Sequence, residues 1–252
     1  LLMKYVFFTP SVTVNFKPDI SLFEHLSTTC SIAESLYKAE EKRIMLIGGD
    51  VCRIQSFIYT ITSEQAAKML RGRSFYVHLI NKTVGLYILR KMGLSISNLI
   101  FCGGGIFTIL APCSDMHEEL LKRSVKEVNE ELLKIFGGEL YVAVNYLKID
   151  AEELERYADL LLRLGRSLEA TKLKQFIDLL PDKYATIFGP EGEGGEVHAC
   201  AVCKREVVNG YTIDDITVCE LCKRFEILGS RLVKSSYLVM AVYDPLNPPE
   251  DK

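Results

Sequence analysis

The sequence predicts an α+β fold: a ferredoxin-like palm in the order β-α-β-β-α-β, followed by a mainly helical second domain that carries a four-cysteine zinc module. Three observations predict it. Short apolar runs alternate with long amphipathic helical patterns between Arg43 and Leu147, which is the periodicity of a split βαβ arrangement. Gly103, Gly104 and Gly105 stand between a pair of those runs as a hairpin turn does. Cys200-x-x-Cys203 and Cys219-x-x-Cys222 follow in a polar segment, at the spacing where two turn-borne pairs converge on one tetrahedral ion.

Taken in order, residues 1–41 read as a connecting segment with a helix. Pro10 and Pro18 bracket an extended VTVNF. Ser21-Leu22-Phe23-Glu24 has capping-box spacing, so a helix is predicted from Leu22 to Lys38. His25 lies in its first turn and is assigned no role. Residues 42–149 are the palm. Its first strand, 43–47, ends at Gly48-Gly49-Asp50, a turn that leads straight into a helix. A carboxylate beside a helix N-terminus suits phosphates and their metal ions, although the same glycines would serve a plain turn. The helical pattern starts at Ile54, is renewed by a Thr62-x-x-Gln65 cap, and continues to about Lys91. It carries Leu70-Arg71-Gly72-Arg73-Ser74-Phe75, in which Arg71 and Arg73 are either solvated helix residues or contacts to phosphate, RNA or a partner.

Strands 98–102 and 106–110 flank the glycine turn. A helix is predicted from Asp115 to Phe136, with Leu121, Val125, Val128, Leu132 and Ile135 on one face and Gly137-Gly138 ending it. ELYVAVNYL is the last strand. Residues 150–235 form the helical domain with the zinc module. Its helical text breaks near Gly165, has an apolar face of Leu173, Phe176, Ile177 and Leu180, and closes at Pro181. The acidic, glycine-rich stretch 189–195 is a linker. Residues 236–252, with a strongly β run from Tyr237 to Tyr243, begin a connection to something further.

In palms of nucleotidyl cyclases and polymerases the first strand supplies one metal-binding carboxylate and the hairpin supplies the others. A two-metal site needs several oxygen ligands. Here the first strand offers Asp50 and the hairpin offers Gly103, Gly104 and Gly105 with no acid. One carboxylate is too few, so this palm is expected to bind a nucleotide without cyclising it. The three glycines either meet the needs of the turn or let backbone amides approach a phosphate closely.

The cysteines Cys200, Cys203, Cys219 and Cys222 are expected to hold structural zinc with no open position. Cys30, Cys52, Cys102 and Cys113 lie singly in apolar surroundings, as inert thiols of a reducing compartment do. A net charge of −3 over 252 residues excludes a general affinity for polyanions. No apolar run is long enough to span a bilayer and no signal peptide opens the chain, so no membrane partner is expected and the location is expected to be cytoplasmic. Leu1 in place of Met, and a charged tail after Pro248-Pro249, read as cut ends.

The runs IGGDVCRIQSFIY, MLRGRSFYVHLI and NLIFCGGGIFTILAP, with the upstream PDISLFEHLSTTCSIA, resemble the first palm domain of the signature large subunit of type III-A (Csm) CRISPR interference complexes. The resemblance covers most of the chain. It implies a fragment without the upstream HD nuclease domain and without the second, Gly-Gly-Asp-Asp palm. It also implies that the whole subunit makes cyclic oligoadenylates from ATP with Mg²⁺ or Mn²⁺ and cuts single-stranded DNA, while this chain alone is inactive. The implied partners are other subunits of the complex and, through it, guide RNA and target RNA. The nucleotide half-site would comprise Asp50, Gln55, Ser74, Gly103, Gly104 and Gly105. One departure is Arg53, which stands where the family usually has a small residue, often glycine. Two other readings stay open: a scaffold whose palm only packs against subunits or RNA, and a free-standing cyclase of the diguanylate type, against which the missing hairpin acids argue.

Overall fold

A computed structural model of the chain describes residues 2–12, 19–60, 66–189, 198–207, 210–213 and 216–239. The chain opens with α1 (Leu2–Val6) and α2 (Leu22–Lys38). The capping box that the sequence predicts at α2 is formed: the Ser21 hydroxyl accepts from the Glu24 amide, and the Glu24 carboxylate accepts from the Ser21 amide. Next come β1 (Arg43–Cys52), α3 (Ile54–Tyr59), α4 (Ala66–Lys91), β2 (Leu99–Gly103), β3 (Ile106–Pro112), α5 (Asp115–Phe136) and β4 (Tyr141–Asp150). The sheet is antiparallel in the order β2-β3-β1-β4, the ferredoxin-like arrangement the element order implies. The Thr62-x-x-Gln65 cap signal lies outside the described residues, and the helical pattern between Ile54 and Lys91 divides into α3 and α4.

β1 is twice the expected length. Gly48, Gly49 and Asp50 are not a turn; they pair with Thr108, Phe107 and Ile106 of β3 and with Asn145, Val144 and Ala143 of β4. The glycines make room instead. A Cβ on Gly49 would lie 2.0 Å from the Phe107 ring, and one on Gly48 would lie 2.8 Å from Leu164 Cδ2. Strand alternation thus sends the two faces of β1 to different layers. Ile44 and Leu46 pack with Leu110, Ile149, Leu160 and Leu164, joined by Ile32 and Leu36 of α2. The face carrying Gly49 and Phe107 meets α4, where Gly85 lies under Leu99 and Phe107. A cavity of about 670 Å³ between α4 and α5, lined by Tyr76, Ile80, Tyr87, Glu127, Leu132 and Phe136, opens on that side, away from the Asp50 side chain.

α5 matches its predicted bounds, and Gly137 ends it in the left-handed region at φ 57°. Its inward residues are Leu121, Ser124, Asn129, Leu132, Leu133 and Phe136, while Ile135 is exposed. After β4 the chain makes a 3-10 turn (Ala151–Arg156), α6 (Tyr157–Lys172), a second 3-10 turn (Ile177–Leu179) and α7 (Leu180–Phe188). α6 runs unbroken through Gly165, which has open space around it. Leu173 is exposed, and Phe176 and Leu179 are the buried residues here. Pro181 opens α7 rather than closing a helix, because the first turn needs no amide from it.

The structure divides into two compact units. The first comprises residues 1–60 and 74–195, so the helices after β4 belong with the sheet and the expected boundary at 149/150 does not coincide with a division of the structure. Leu160 and Leu164 are the reason: they bury against β1. The second comprises residues 61–73 and 196–252. Its described elements are the first two turns of α4, the small hairpins β5 (His198–Ala199) with β6 (Glu206–Val207) and β7 (Tyr211–Ile213) with β8 (Ile216–Val218), and α8 (Glu220–Leu232). The acidic linker beyond Gly189 and most of the run from Tyr237 to Tyr243 lie outside the described residues; Tyr237, Leu238 and Val239 are exposed and outside any strand.

Candidate functional site

Within the first unit, the end of β1 and the glycine hairpin come together. Asp50 stands opposite Ile106, and the Val51 amide donates to the Gly105 carbonyl at 2.8 Å. Gly104 and Gly105 hold φ of 61° and 89°, values that favour glycine. Gly104 is exposed, with nothing within 4 Å of where a Cβ would stand, whereas a Cβ on Gly105 would meet Ile54 Cδ1 at 2.4 Å. Ile54 and the exposed Gln55 begin α3. Ser74 is exposed on α4, seven residues before Asn81 and hence roughly 10 Å from it along the helix axis.

α3 is a single short helix whose preceding residue, Arg53, adopts φ 67°. That left-handed conformation is one that glycine adopts at no steric cost and arginine only with strain. The Arg53 side chain donates to the Gly138 carbonyl at 3.1 Å, so it serves the turn before β4.

The Asp50 carboxylate already has a cation. Lys172 Nζ, at the end of α6, lies 2.7 Å from Asp50 Oδ2 and 2.7 Å from Glu169 Oε1; the Lys172 and Asp50 side chains are 27% and 22% exposed. Burial opposes the ammonium charge, but hydrogen bonds to Asp50 and Glu169 outweigh it and raise Lys172 above the ordinary lysine range. Asn145 of β4 ties the same end of α6 down through Thr171 Oγ1 at 3.0 Å.

Two of these residues escaped sequence reasoning. Lys172 carries no local signal, since it is far from Asp50 in the chain. Asn81 did carry one: it is the polar member of the inward stripe Val77, Asn81, Val84, Ile88. It is fully buried, and its amide donates to the Ile106 carbonyl at 3.0 Å and to Cys102 Sγ at 3.4 Å, while its side-chain oxygen has no hydrogen-bond partner among the described residues. It therefore fixes the base of the hairpin.

In the second unit the sulfurs of Cys200, Cys203, Cys219 and Cys222 all lie within 4.8 Å of one another. Sulfurs bound tetrahedrally at about 2.3 Å stand just under 4 Å apart, so the set fits one soft metal ion. Amides already point at the sulfurs: Cys219 N donates to Cys200 Sγ at 3.3 Å and Cys222 N to Cys219 Sγ at 3.4 Å. Hydrogen bonds from Cys203 and Cys222 hold the Cys219 thiol below its ordinary range, and the bond to Cys219 pushes Cys203 up. Elsewhere, burial raises the thiols of Cys52, Cys102 and Cys113, which keeps them unreactive.

Arg71 and Arg73 belong to this second unit. Arg71 Nη1 donates to the Gly229 carbonyl at 2.9 Å. Arg73 is buried, 5.6 Å from the Phe225 ring centre, and its Nη2 donates to Cys222 Sγ at 3.6 Å. Each guanidinium is engaged by α8.

Comparison with known proteins agrees with this layout. Residues 43–190 match the family model described as "Csm1 subunit domain B". The chain is 30% identical over 287 residues to the Methanocaldococcus jannaschii CRISPR system single-strand-specific deoxyribonuclease Cas10/Csm1 (subtype III-A), covering 90% of this chain and 35% of that one. Among solved structures, a Csm1-Csm4 cassette in complex with one ATP superposes with a TM-score of 0.64 at 32% identity, over 75% of this chain and 28% of that one. The cassette in complex with cA4 gives 0.63 at 34%, over 69% and 26%. The chain spans about a third of the length of the curated relatives it matches. Matching domain B along the whole palm and the helices after it, the chain belongs to the Csm1 family.

Proposed function

We propose that the palm holds one ATP without transforming it, as half of a composite site in the large subunit of a type III-A CRISPR effector complex. The observation that carries this is the rim where the exposed Gly104 adjoins the end of β1, with Ile54 at the start of α3 standing against Gly105. Open backbone there lets phosphate oxygens or a ring approach closely. Asp50 is neutralised by Lys172 and the hairpin holds no acid, so no two-metal centre forms and the transfer chemistry falls to a second palm. Support comes from the relatives solved with one ATP and with cA4. The whole subunit is read as a cyclic oligoadenylate synthase using ATP with Mg²⁺ or Mn²⁺ and as a single-strand deoxyribonuclease. Its neighbours are a Csm4-like subunit and, through the complex, guide and target RNA. The four cysteines hold Zn²⁺ in a structural role.

Calorimetry with ATP tests the palm. Each exposed charged contact contributes on the order of 1 kcal/mol, so the isolated half-site should bind with a dissociation constant near ~1 mM and yield no oligoadenylate with Mg²⁺ or Mn²⁺. Gly104→Val should abolish binding, and because φ 61° suits glycine and strains a β-branched residue, circular dichroism and the melting temperature of the variant are read beside its ATP binding. ATP binding unchanged in that variant would favour the scaffold reading, which the Lys172 lock on Asp50 also favours.

A further inference from the structure

The Leu70-Arg71-Gly72-Arg73 run is built for α8, and its arginine reaches the cysteines. We propose that Arg73 is the outer partner of the metal held by Cys200, Cys203, Cys219 and Cys222, donating to the Cys222 thiolate and offsetting the negative charge of the four-sulfur shell. This rests on the metal reading of that cluster. The placement is demanding. A Cβ on Gly72 would lie 2.0 Å from the Phe225 carbonyl oxygen, and one on Gly229 would lie 1.9 Å from the Lys68 carbonyl oxygen. The two helix backbones therefore touch at a pair of glycines, with Arg71 on the Gly229 carbonyl at 2.9 Å and Lys68 on Glu226 at 3.4 Å. That crossing sets the Arg73 guanidinium, 2% exposed, over the Phe225 ring and 3.6 Å from Cys222 Sγ.

The supply of donors explains the arrangement. Cys200 is served by the Cys219 amide, Cys219 by the Cys222 amide, and Cys203 by the backbone of Arg205. Cys222, in the first turn of α8, takes its donor from α4. Four thiolates around a divalent ion leave excess negative charge, and Cys200 and Cys222 are buried, where a neighbouring cation counts for more than in water. An outer-shell donor of this kind holds its ligand in place and tunes the metal.

The test uses metal-loaded protein. Metal content of the wild type comes first: protein prepared under reducing conditions that contains no thiolate-bound metal overturns the four-thiolate reading and this proposal with it. Given metal, Arg73→Leu should release it to a chromogenic chelator about 10- to 100-fold faster, and the thiolate-to-Co²⁺ charge-transfer band of the cobalt-substituted protein should move to lower energy. Arg73→Lys, which keeps the charge and the stem over Phe225, should fall between, and carries the test if the leucine variant does not fold. Phe225→Leu, which removes the ring beneath the guanidinium but leaves the donor in place, should lower the melting temperature and move the band less than Arg73→Leu does. Wild-type release rates and an unmoved band in Arg73→Lys, or in folded Arg73→Leu, overturn the proposal while leaving the four-cysteine site standing.

Discussion

The two clusters of negative charge in this chain solve the same problem in opposite ways. At the end of β1, Asp50 and Glu169 share the ammonium of Lys172, a cation attached to the chain itself. In the second unit the four sulfurs converge with amides and Arg73 around them, and the remaining charge asks for an ion from solution. Carboxylate geometry alone therefore does not define a metal site. What decides is whether the fold has already supplied the positive charge.

Removing metal should set the two regions apart most visibly. Binding free energy at structural zinc sites is folding free energy, of the order of 10 kcal/mol. A strong chelator, or Cys219→Ser, should therefore abolish hydrogen-exchange protection in α8 and in residues 66–73 while strands β1, β3 and β4 keep theirs. Protection lost equally in both units would sink the distinction. Lys172→Met comes next. It leaves two carboxylates facing one another at a partly exposed site and should cost about 1–2 kcal/mol in chemical denaturation. Added Mn²⁺ should restore some of that loss in the variant and do nothing for the wild-type palm; equal Mn²⁺ stabilisation of both proteins would show that Lys172 is no substitute for the ion.

Glu127 gives the smallest effect. Hydrogen bonds from Lys91, Tyr87 and Arg123 hold Glu127 down at about 2. Its folded value lies below its unfolded one, so its contribution is complete above the ordinary glutamate range and fades as pH falls toward 2. Screened at the surface, it amounts to less than ~1 kcal/mol. Protons compete with metal for thiolates well above that range, so acidification should open the second unit first. Glu127→Gln should flatten the low-pH limb of the first unit's unfolding curve and leave the second unit unchanged.

What the sequence disclosed follows from how far each signal reaches. The Ser21–Glu24 cap, the bounds of α5 and the Cys-x-x-Cys pairs are written within a few residues, and the structure shows each. The strand order follows from the element order. The extra length of β1 was hidden because Gly48 and Gly49 look like a turn until Phe107 and Leu164 are known to need their space. Pro181 looked like a stop for the same kind of reason, since a proline reads alike at either end of a helix. Lys172 and the true target of Arg73 depend on contacts between distant segments of the chain, which no local pattern encodes. The proposed half-site is only partly legible: Asp50 and the glycines adjoin where β1 meets the hairpin, Gln55 follows the Ile54 that stands against Gly105, and Ser74 lies further along the chain on α4.

The glycine crossing also imposes a timetable on synthesis. Gly72 leaves the ribosome 157 residues before Gly229, an interval of roughly 10–30 s at ordinary elongation rates. The β1 to β4 sheet has all its residues by Asp150 and can form meanwhile. The first two turns of α4, with Arg71 and Arg73 uncovered, must wait until α8 has been made. During that wait they are the segment most open to a protease or to a wrong partner, so translation that stalls between Gly195 and Cys219 should yield a folded sheet with a cleavable arm.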